Sequence, residues 1–317
     1  MRLSTLFASL LVWANLACAQ PYPSKPLRWI VPTGPGSAVD VNARRVTPKL
    51  AEALGQPVIV ENRPGANSMI GAREAARAAP DGYTLFQAVV NNAINDALAP
   101  DPCCVLNDKL LPVTRLYTTP LVMVVHPGVP AATLQEYVAL AKAKPNALTY
   151  AHGGTGAITQ MVGELLKLTA GIQVREVPYK AIGAELPDLT GGHVSTAFLS
   201  PVVIRDMVRA GKLRALAIAD RQRLDILSEV PTMAEAGYPI EGLGWNGIFV
   251  PAGTPQAVIG RLQLEIARVL QLKEIQDDAL ALGTRAGGEQ PADFAAFVRS
   301  EVQKWGKVIK DAGIKAQ

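Results

Sequence analysis

LRWIVPTGPGSAVD, residues 27–40, passes from an apolar run through a Pro/Gly break into helical spacing. Leu27–Val31 is rich in β-formers, and Pro32–Gly36 interrupts it. From Ser37 to Leu54 the residues Val39, Ala43, Val46 and Leu50 recur on one helical face, and Gly55 follows where a C′ glycine belongs. Strand, loop and helix in that order describe half of a βαβ unit, with the loop at the carboxyl edge of a sheet.

The pattern repeats outward from there. Val58–Val60 is a short apolar strand closed by Asn62-Arg63-Pro64-Gly65. A helix follows from about Ser68 to Ala79, then Pro80-Asp81-Gly82 and a strand at Tyr83–Val89. Residues 100–112 read as an irregular excursion. A second series opens with strand Leu121–Val125, a Thr133/Glu136 capping box and a helix to Lys144. Strand Leu148–Ala151 runs into His152-Gly153-Gly154-Thr155-Gly156 and a helix to Thr169. Strands near Gln173–Val177, Val194–Leu199 and Leu213–Ile218 alternate with helices near Gly183–Leu189 and Val202–Ala210. The tail holds strand Trp245–Val250, a helix starting at Thr254-Pro255 and a last helix opened by Pro291, with Phe294, Val298, Trp305 and Ile309 as its stripe. Such alternation predicts an α/β protein with parallel sheets and right-handed crossovers. The expected division is lobe 1 over 20–120 plus 245–317 and lobe 2 over 121–244, two doubly wound lobes facing a central cleft.

Composition agrees with that class. The chain has 317 residues, 49% hydrophobic, 18% charged and only 5% aromatic, so its core is built from Ala, Val, Leu and Ile. A net charge of +4 without a Lys/Arg block excludes a nucleic-acid footprint and permits anionic small molecules.

The first residues read as an address. Arg2, the apolar stretch Leu6–Ala14 and Ala17-Cys18-Ala19 form a secretory signal with cleavage after Ala19. The apolar stretch is shorter than the roughly 20 residues of a spanning helix, and lipidation of Cys18 fits poorly with Asn15-Leu16-Ala17 before it. The mature protein is therefore expected to be soluble and periplasmic. Cys103 and Cys104 remain as an adjacent pair in the irregular segment, an incidental surface-loop pair with no metal-ligand spacing around it, a strained vicinal ring in an oxidising compartment being the alternative.

Two glycine loops are the candidate sites. In Thr33-Gly34-Pro35-Gly36-Ser37 the backbone amides and the following helix end suit an anion, Ser37 can cap, and Asp40 lies in the first turn. A plain tight turn is the bland alternative. A dinucleotide fingerprint is the third: Glu61 sits where a ribose-binding acid would, but Val39 takes the third glycine position. His152–Gly156 holds the equivalent place in the second series. It is similar to an esterase oxyanion loop, yet the chain has no G-x-S-x-G, and His126, His152 and His193 have no metal-like spacing. The second loop is better read as the other jaw of a cleft, with a flexible surface turn as its alternative.

Pro23-Ser24-Lys25-Pro26 with Ile30-Val31-Pro32, Glu61-Asn62-Arg63-Pro64-Gly65-Ala66 and Pro80-Asp81-Gly82-Tyr83-Thr84 carry a family resemblance. So do Val177-Pro178-Tyr179-Lys180, Ala210-Gly211-Lys212-Leu213-Arg214-Ala215-Leu216-Ala217 and Pro251-Ala252-Gly253-Thr254-Pro255. Together they resemble the Bug-type extracytoplasmic solute receptors, the substrate-binding proteins of tripartite tricarboxylate transporters, over nearly the whole mature chain. The resemblance implies a type II periplasmic binding-protein (Venus flytrap) fold that grips a small carboxylate between two loops. It implies membrane permease subunits as partners, a monomer, no cofactor and no catalysis. Carried onto this sequence, the ligand-binding residues are Thr33, Gly34, Gly36, Ser37, Ala38 and Asp40 of the first loop, Asn91, and Gly154, Thr155, Gly156 and Ala157 of the second. Where the family commonly has a second Gly, a Thr, a Thr, a His and an Asp, this chain has Ser37, Val39, Ala157, Gln160 and Leu199. These departures make the expected pocket more apolar, suited to an aromatic or longer-chain carboxylate. A receptor-fold sensor that presents its ligand to a signalling partner is the alternative function.

Overall fold

The structure is a computed structural model that describes residues 22–98 and 104–316. The expected signal peptide, its cleavage site, Cys18 and Cys103 lie outside the described residues. In chain order the first part runs β1 (Leu27–Val31), α1 (Ala38–Leu54), β2 (Val58–Asn62), α2 (Met69–Ala76), β3 (Thr84–Val89), α3 (Val90–Leu98) and β4 (Leu110–Pro120). The middle runs β5 (Val122–Val125), α4 (Leu134–Ala143), β6 (Thr149–His152), α5 (Ile158–Ala170), β7 (Arg175–Pro178), α6 (Leu186–Thr190), β8 (Thr196–Leu199), α7 (Pro201–Arg209) and β9 (Arg214–Ile218). The last part runs β10 (Leu243–Pro251), α8 (Gln256–Leu270), α9 (Lys273–Ala281), β11 (Arg285–Ala286) and α10 (Pro291–Ala312).

The strands form two sheets, ordered β11-β4-β10-β3-β1-β2 and β7-β6-β8-β5-β9. β1, β2 and β3 are parallel, as are β6, β7 and β8, as the βα alternation requires. The expectation of wholly parallel sheets is corrected, because β10 runs antiparallel to β3 and β4, and β5 antiparallel to β8 and β9. The cause lies in the connections. Only Leu121 separates β4 from β5, so the chain passes straight from one sheet into the other with no crossover helix to set its direction. It returns after residues 219–242, through Gly242 into β10. Apart from β11 at the edge of the first, each sheet thus has the same order, second–first–third–visiting–fourth strand. The two passages are tied where they cross: Leu121 N donates to Gly242 O (3.0 Å), Ala219 N to Leu121 O (2.8 Å) and Gly242 N to Ala219 O (2.9 Å).

Local signals explain the element ends. Ser37 Oγ accepts from Asp40 N at the start of α1, and Gly55 closes that helix at φ 67°. Thr133 Oγ1 caps α4, while Glu136 reaches back to Ala132 N (2.6 Å). In α8 the cap is Pro255 and the first helical residue Gln256, one position later than Thr254-Pro255 suggests. On the opposite side of the first sheet from α2 and α3, α1 and α8 bury Ala43, Val46 and Leu50 with Leu262 and Ile266. A larger apolar cluster runs from Phe86 through the Phe294/Val298/Trp305 stripe of α10 to Met123 and Tyr150 of the second sheet. Each such side chain contributes about 1.5–3 kcal/mol by burial, so α10 fastens both sheets. Of the expected excursion over residues 100–112, the described residues 104–109 have no helix or strand, and β4 takes over at Leu110. Cys104 is 2% exposed and packs in the core with Ile94 and Leu106, which corrects the surface-pair expectation for that residue.

Candidate functional site

A cavity of about 260 Å³ opens between the sheets, beside the crossing strands. Five helix N-termini supply part of its wall: Ala38 of α1, Ser68 capping α2, Val90 of α3, Ile158 of α5 and Ser200 capping α7. At each, the first-turn N–H groups have no intrahelical partner, and the helix end carries partial positive charge. Thr119, Leu121, Gly244, Trp245 and Asn246 of the crossing strands form another side, and Val39, Val89 and Ile182 complete the apolar part. No Lys, Arg, Asp or Glu is among the lining residues. The wall can therefore hold an anion by dipoles and amide hydrogens, with no fixed countercharge.

Thr33, Ala38 and Asn91 of the expected binding residues line this cavity. Gly34, Gly36, Ser37 and Asp40 build the loop behind it. Gly36 N donates to Asp40 Oδ2 (2.9 Å), Ser37 Oγ bonds Thr33 Oγ1 (2.7 Å), and Ser37 N donates to Gly34 O (3.3 Å). Asp40 is 2% exposed and also accepts from Arg44 Nε (3.1 Å) and Asn62 Nδ2 (2.9 Å). Burial pushes its carboxyl up, but Arg44, the Gly36 amide and Asn62 together hold it below the usual carboxylate range. Its charge is spent inside the loop.

The second loop repeats the device. Gly156 N donates to Gln160 Oε1 (2.9 Å), Gly154 N to His152 Nδ1 (3.2 Å) and Ala157 N to Gly154 O (3.1 Å). Gly154, Thr155, Gly156 and Ala157 are not in the cavity wall; their successor Ile158 is. Gly156 instead abuts the first-sheet side, with its α-carbon facing Asn67 Nδ2 and Leu98. In each loop one glycine amide expected to face a ligand, that of Gly36 and that of Gly156, is thus engaged by a side chain four residues on, and the Gly154 amide by a side chain two residues back. The donors left for a ligand are the first helical amides, Ala38 and Val39 in α1 and Ile158 and Thr159 in α5. His152 is 1% exposed, and burial lowers its pKa although Glu176 Oε2 lies 3.3 Å from Nε2. It braces the loop as a neutral ring. Glu61 is bound by Arg28 (2.9 and 2.8 Å) and Arg63 (3.0 Å), which removes it as a ribose acceptor.

Several lining residues escaped the sequence reading. Asn42 is 8% exposed, lines the cavity and has no side-chain hydrogen bond among the described residues. Its i+4 spacing from Ala38 was the available signal. Ser68 follows a left-handed turn in which Ala66, Asn67 and Ser68 all have positive φ (45°, 49° and 75°), held by Asn91 Nδ2 on Asn67 Oδ1 (2.7 Å) and Asn95 Nδ2 on Asn67 O (2.9 Å). Three consecutive non-glycine residues in this region are rare and strained. Leu199, read as a lost acid, points into the core, and Ser200 beside it meets the cavity.

The model of the tripartite tricarboxylate transporter family receptor, TctC, matches residues 42–314. The chain belongs to this receptor family. Among curated relatives, Protein BugT of Bordetella pertussis (strain Tohama I) is 35% identical over 301 residues, covering 94% of this chain and 92% of BugT. Among solved structures, R. palustris Rpa4515 with adipate superposes with a TM-score of 0.81 at 28% identity, covering 93% of this chain and 99% of that one. MatC (Rpa3494) from Rhodopseudomonas palustris with bound malate gives a TM-score of 0.78 at 29% identity, covering 91% and 100%. The TctC receptor fold is that of a solute-binding protein with two lobes, and the two sheets joined by β4/β5 and β10 are this chain's version of it. Its Bug-type sequence character agrees with the relatives.

Proposed function

We propose that this TctC receptor captures a small carboxylate between two lobes, 20–120 with 245–317 and 121–244, and delivers it to membrane permease subunits. On this reading residues 1–19 direct export to the periplasm, the receptor acts as a monomer, and no catalysis is involved. The observation that carries it is the convergence of five helix N-termini on a cavity without a charged side chain. Charge-assisted bonds from such amides contribute about 1.5–3 kcal/mol each, so four suffice for a carboxylate. Val39, Leu121, Ile158, Ile182 and Trp245 give the rest of the wall an apolar character. That supports an aromatic or longer-chain carboxylate over a compact polyhydroxy acid. Adipate and malate in the two related structures are consistent with the ligand class.

A thermal-shift screen of the mature protein against mono-, di- and aromatic carboxylates tests the reading. Ligand at 100 times Kd adds about 2.7 kcal/mol of stability. Gly36→Val is the companion variant: the position has φ +78°, which a β-branched residue adopts only with strain, although the space around it is open. It should tilt the start of α1 and abolish the shift while the circular dichroism spectrum is retained. No shift with any carboxylate, or a full shift in Gly36→Val, would reject the reading.

A further inference from the structure

Three strands place a chain of polar side chains across the apolar interior of the first sheet. Trp29 of β1, Gln87 of β3 and Asn246 of β10 lie on one face of neighbouring strands. Trp29 Nε1 donates to Gln87 Oε1 (2.8 Å); Gln87 Nε2 donates to Val39 O (3.2 Å) and to Asn246 Oδ1 (3.0 Å). Trp29 and Gln87 are 0% exposed and Asn246 is 6% exposed.

The direction of this chain is forced. An indole N–H can only donate and a backbone carbonyl can only accept. Gln87 must therefore turn its oxygen to Trp29 and its nitrogen to Val39 O. Both hydrogens of that nitrogen are then used, the second on Asn246, so Asn246 must meet it with Oδ1. The Nδ2 group of Asn246 then has no hydrogen-bond partner among the described residues, and because Asn246 belongs to the cavity wall it is the group left for a ligand. A ligand that covers this amide and accepts from it gains affinity, and one that covers it without an acceptor, or presents a donor to it, loses.

We propose that Asn246 is a specificity-determining residue that selects carboxylates bearing a hydrogen-bond acceptor oxygen at the crossing-strand end, with Trp29 and Gln87 as its positioning residues. The proposal rests on the carboxylate-receptor reading and extends it to the second pole of the ligand. It accounts for an uncharged, fully buried Gln in the run Thr84–Val89, which packing alone does not explain. It also gives Trp29 a task besides filling the core.

The test uses matched probes of equal charge: straight-chain alkanoates of five to eight carbons and the corresponding (ω−1)-oxoalkanoates. Each pair differs only by one neutral acceptor, so the ratio of their dissociation constants cancels any effect of a variant on the common carboxylate. In the unaltered mature protein, titration calorimetry should show one chain length at which the oxo acid binds about tenfold tighter, the equivalent of about 1.4 kcal/mol. Asn246→Leu should bring that ratio near one. In Gln87→Glu the new side chain no longer donates to Val39 O or to Asn246 Oδ1. Asn246 is then free to turn its Nδ2 toward the carboxylate and its Oδ1 toward the cavity, and the ratio should fall. Trp29→Phe removes the indole donor to Gln87 and should lower the ratio, which cancels any change common to both acids, so the test stands even where Gln87→Glu does not fold. An oxo preference at no chain length, or one that survives Asn246→Leu, overturns the proposal while leaving the carboxylate reading intact. Failure of every acid to bind the unaltered protein overturns both.

Discussion

Asp40 and Gln160 hold the same office in two loops of unrelated sequence. Each stands four residues after a glycine, one turn into a helix, and accepts that glycine's N–H at 2.9 Å. An acid suits the first because Arg44 and Asn62 share its charge; a neutral amide suits the second, where Glu176 accepts from Gln160 Nε2 (3.3 Å). A different acid has neither an Arg nor an Asn partner among the described residues. Among the described residues Asp96 of α3 receives one hydrogen bond, from Leu106 N (2.8 Å), and burial raises its pKa to about 7. The unfolded value is about 3.9, so the folded protein holds this proton more tightly. Stability contributed by protonated Asp96 is fully present below pH 4 and is lost as pH rises toward 7. Asp96→Asn keeps an acceptor for Leu106 and removes the titration. Chemical denaturation should find the variant more stable by about 1–2 kcal/mol at pH 8, with the difference vanishing at pH 4. An equal difference at both pH values would assign the effect to packing.

Among the elements, α10 does most to hold the cavity wall in place. Glu301, 3% exposed, accepts from Trp245 Nε1 (3.1 Å) and Trp305 Nε1 (3.0 Å) and pairs with Lys304. Phe294 and Phe297 pack edge-on to the Trp245 ring at 5.8 and 5.7 Å. Glu301→Ala would strand two buried indole donors and should cost on the order of 2–5 kcal/mol in urea unfolding. Trp245 emission should shift as the ring loosens; an unchanged midpoint would show that water replaces the carboxylate freely. The stripe of α10 was legible because Phe294, Val298, Trp305 and Ile309 keep one period over the whole helix. β1, α1 and both glycine loops were legible for the same local reasons: β-rich run, Pro/Gly break, cap and period. The reversed β5 and β10 were not, since a strand's direction depends on where the chain has come from and leaves no mark on its residues. Nor was the engagement of the Gly36 and Gly156 amides. Spacing placed Asp40 beside its loop, but only the closed geometry shows that its carboxylate turns inward. Asn42 and Asn246 were hidden by the same limit, as polar residues within apolar periods whose partners lie on other strands.

On the scale of the whole molecule the two sheets and their helices meet at the paired crossing strands, at the terminal helix, at Gly156 facing Asn67 and Leu98, and through the ion pair of Asp220, just beyond β9, with Arg285 of β11. Gly242 lies at the first of these, just before β10. A β-carbon there would lie 2.3 Å from Val162 Cγ2 and 3.0 Å from Cγ1, too close for a stiff β-branched side chain to yield by rotation alone. Val162 belongs to α5, whose first residue Ile158 lines the cavity. Gly242→Ala should therefore push α5 away from the crossing and weaken carboxylate binding by about tenfold, near 1.4 kcal/mol, although neither residue touches the cavity. Overpacking of this kind costs about 1–3 kcal/mol of stability, so a lower melting temperature is expected as well. Val162→Ala on its own opens a small void and should leave affinity within about twofold, under 0.5 kcal/mol. Combined with Gly242→Ala it removes the clash, and affinity should return most of the way. Titration of the three variants with the acid found by the screen decides the point. Weak binding that persists in the double variant would place the loss in the backbone of Gly242 itself, and the steric account of the crossing would be wrong.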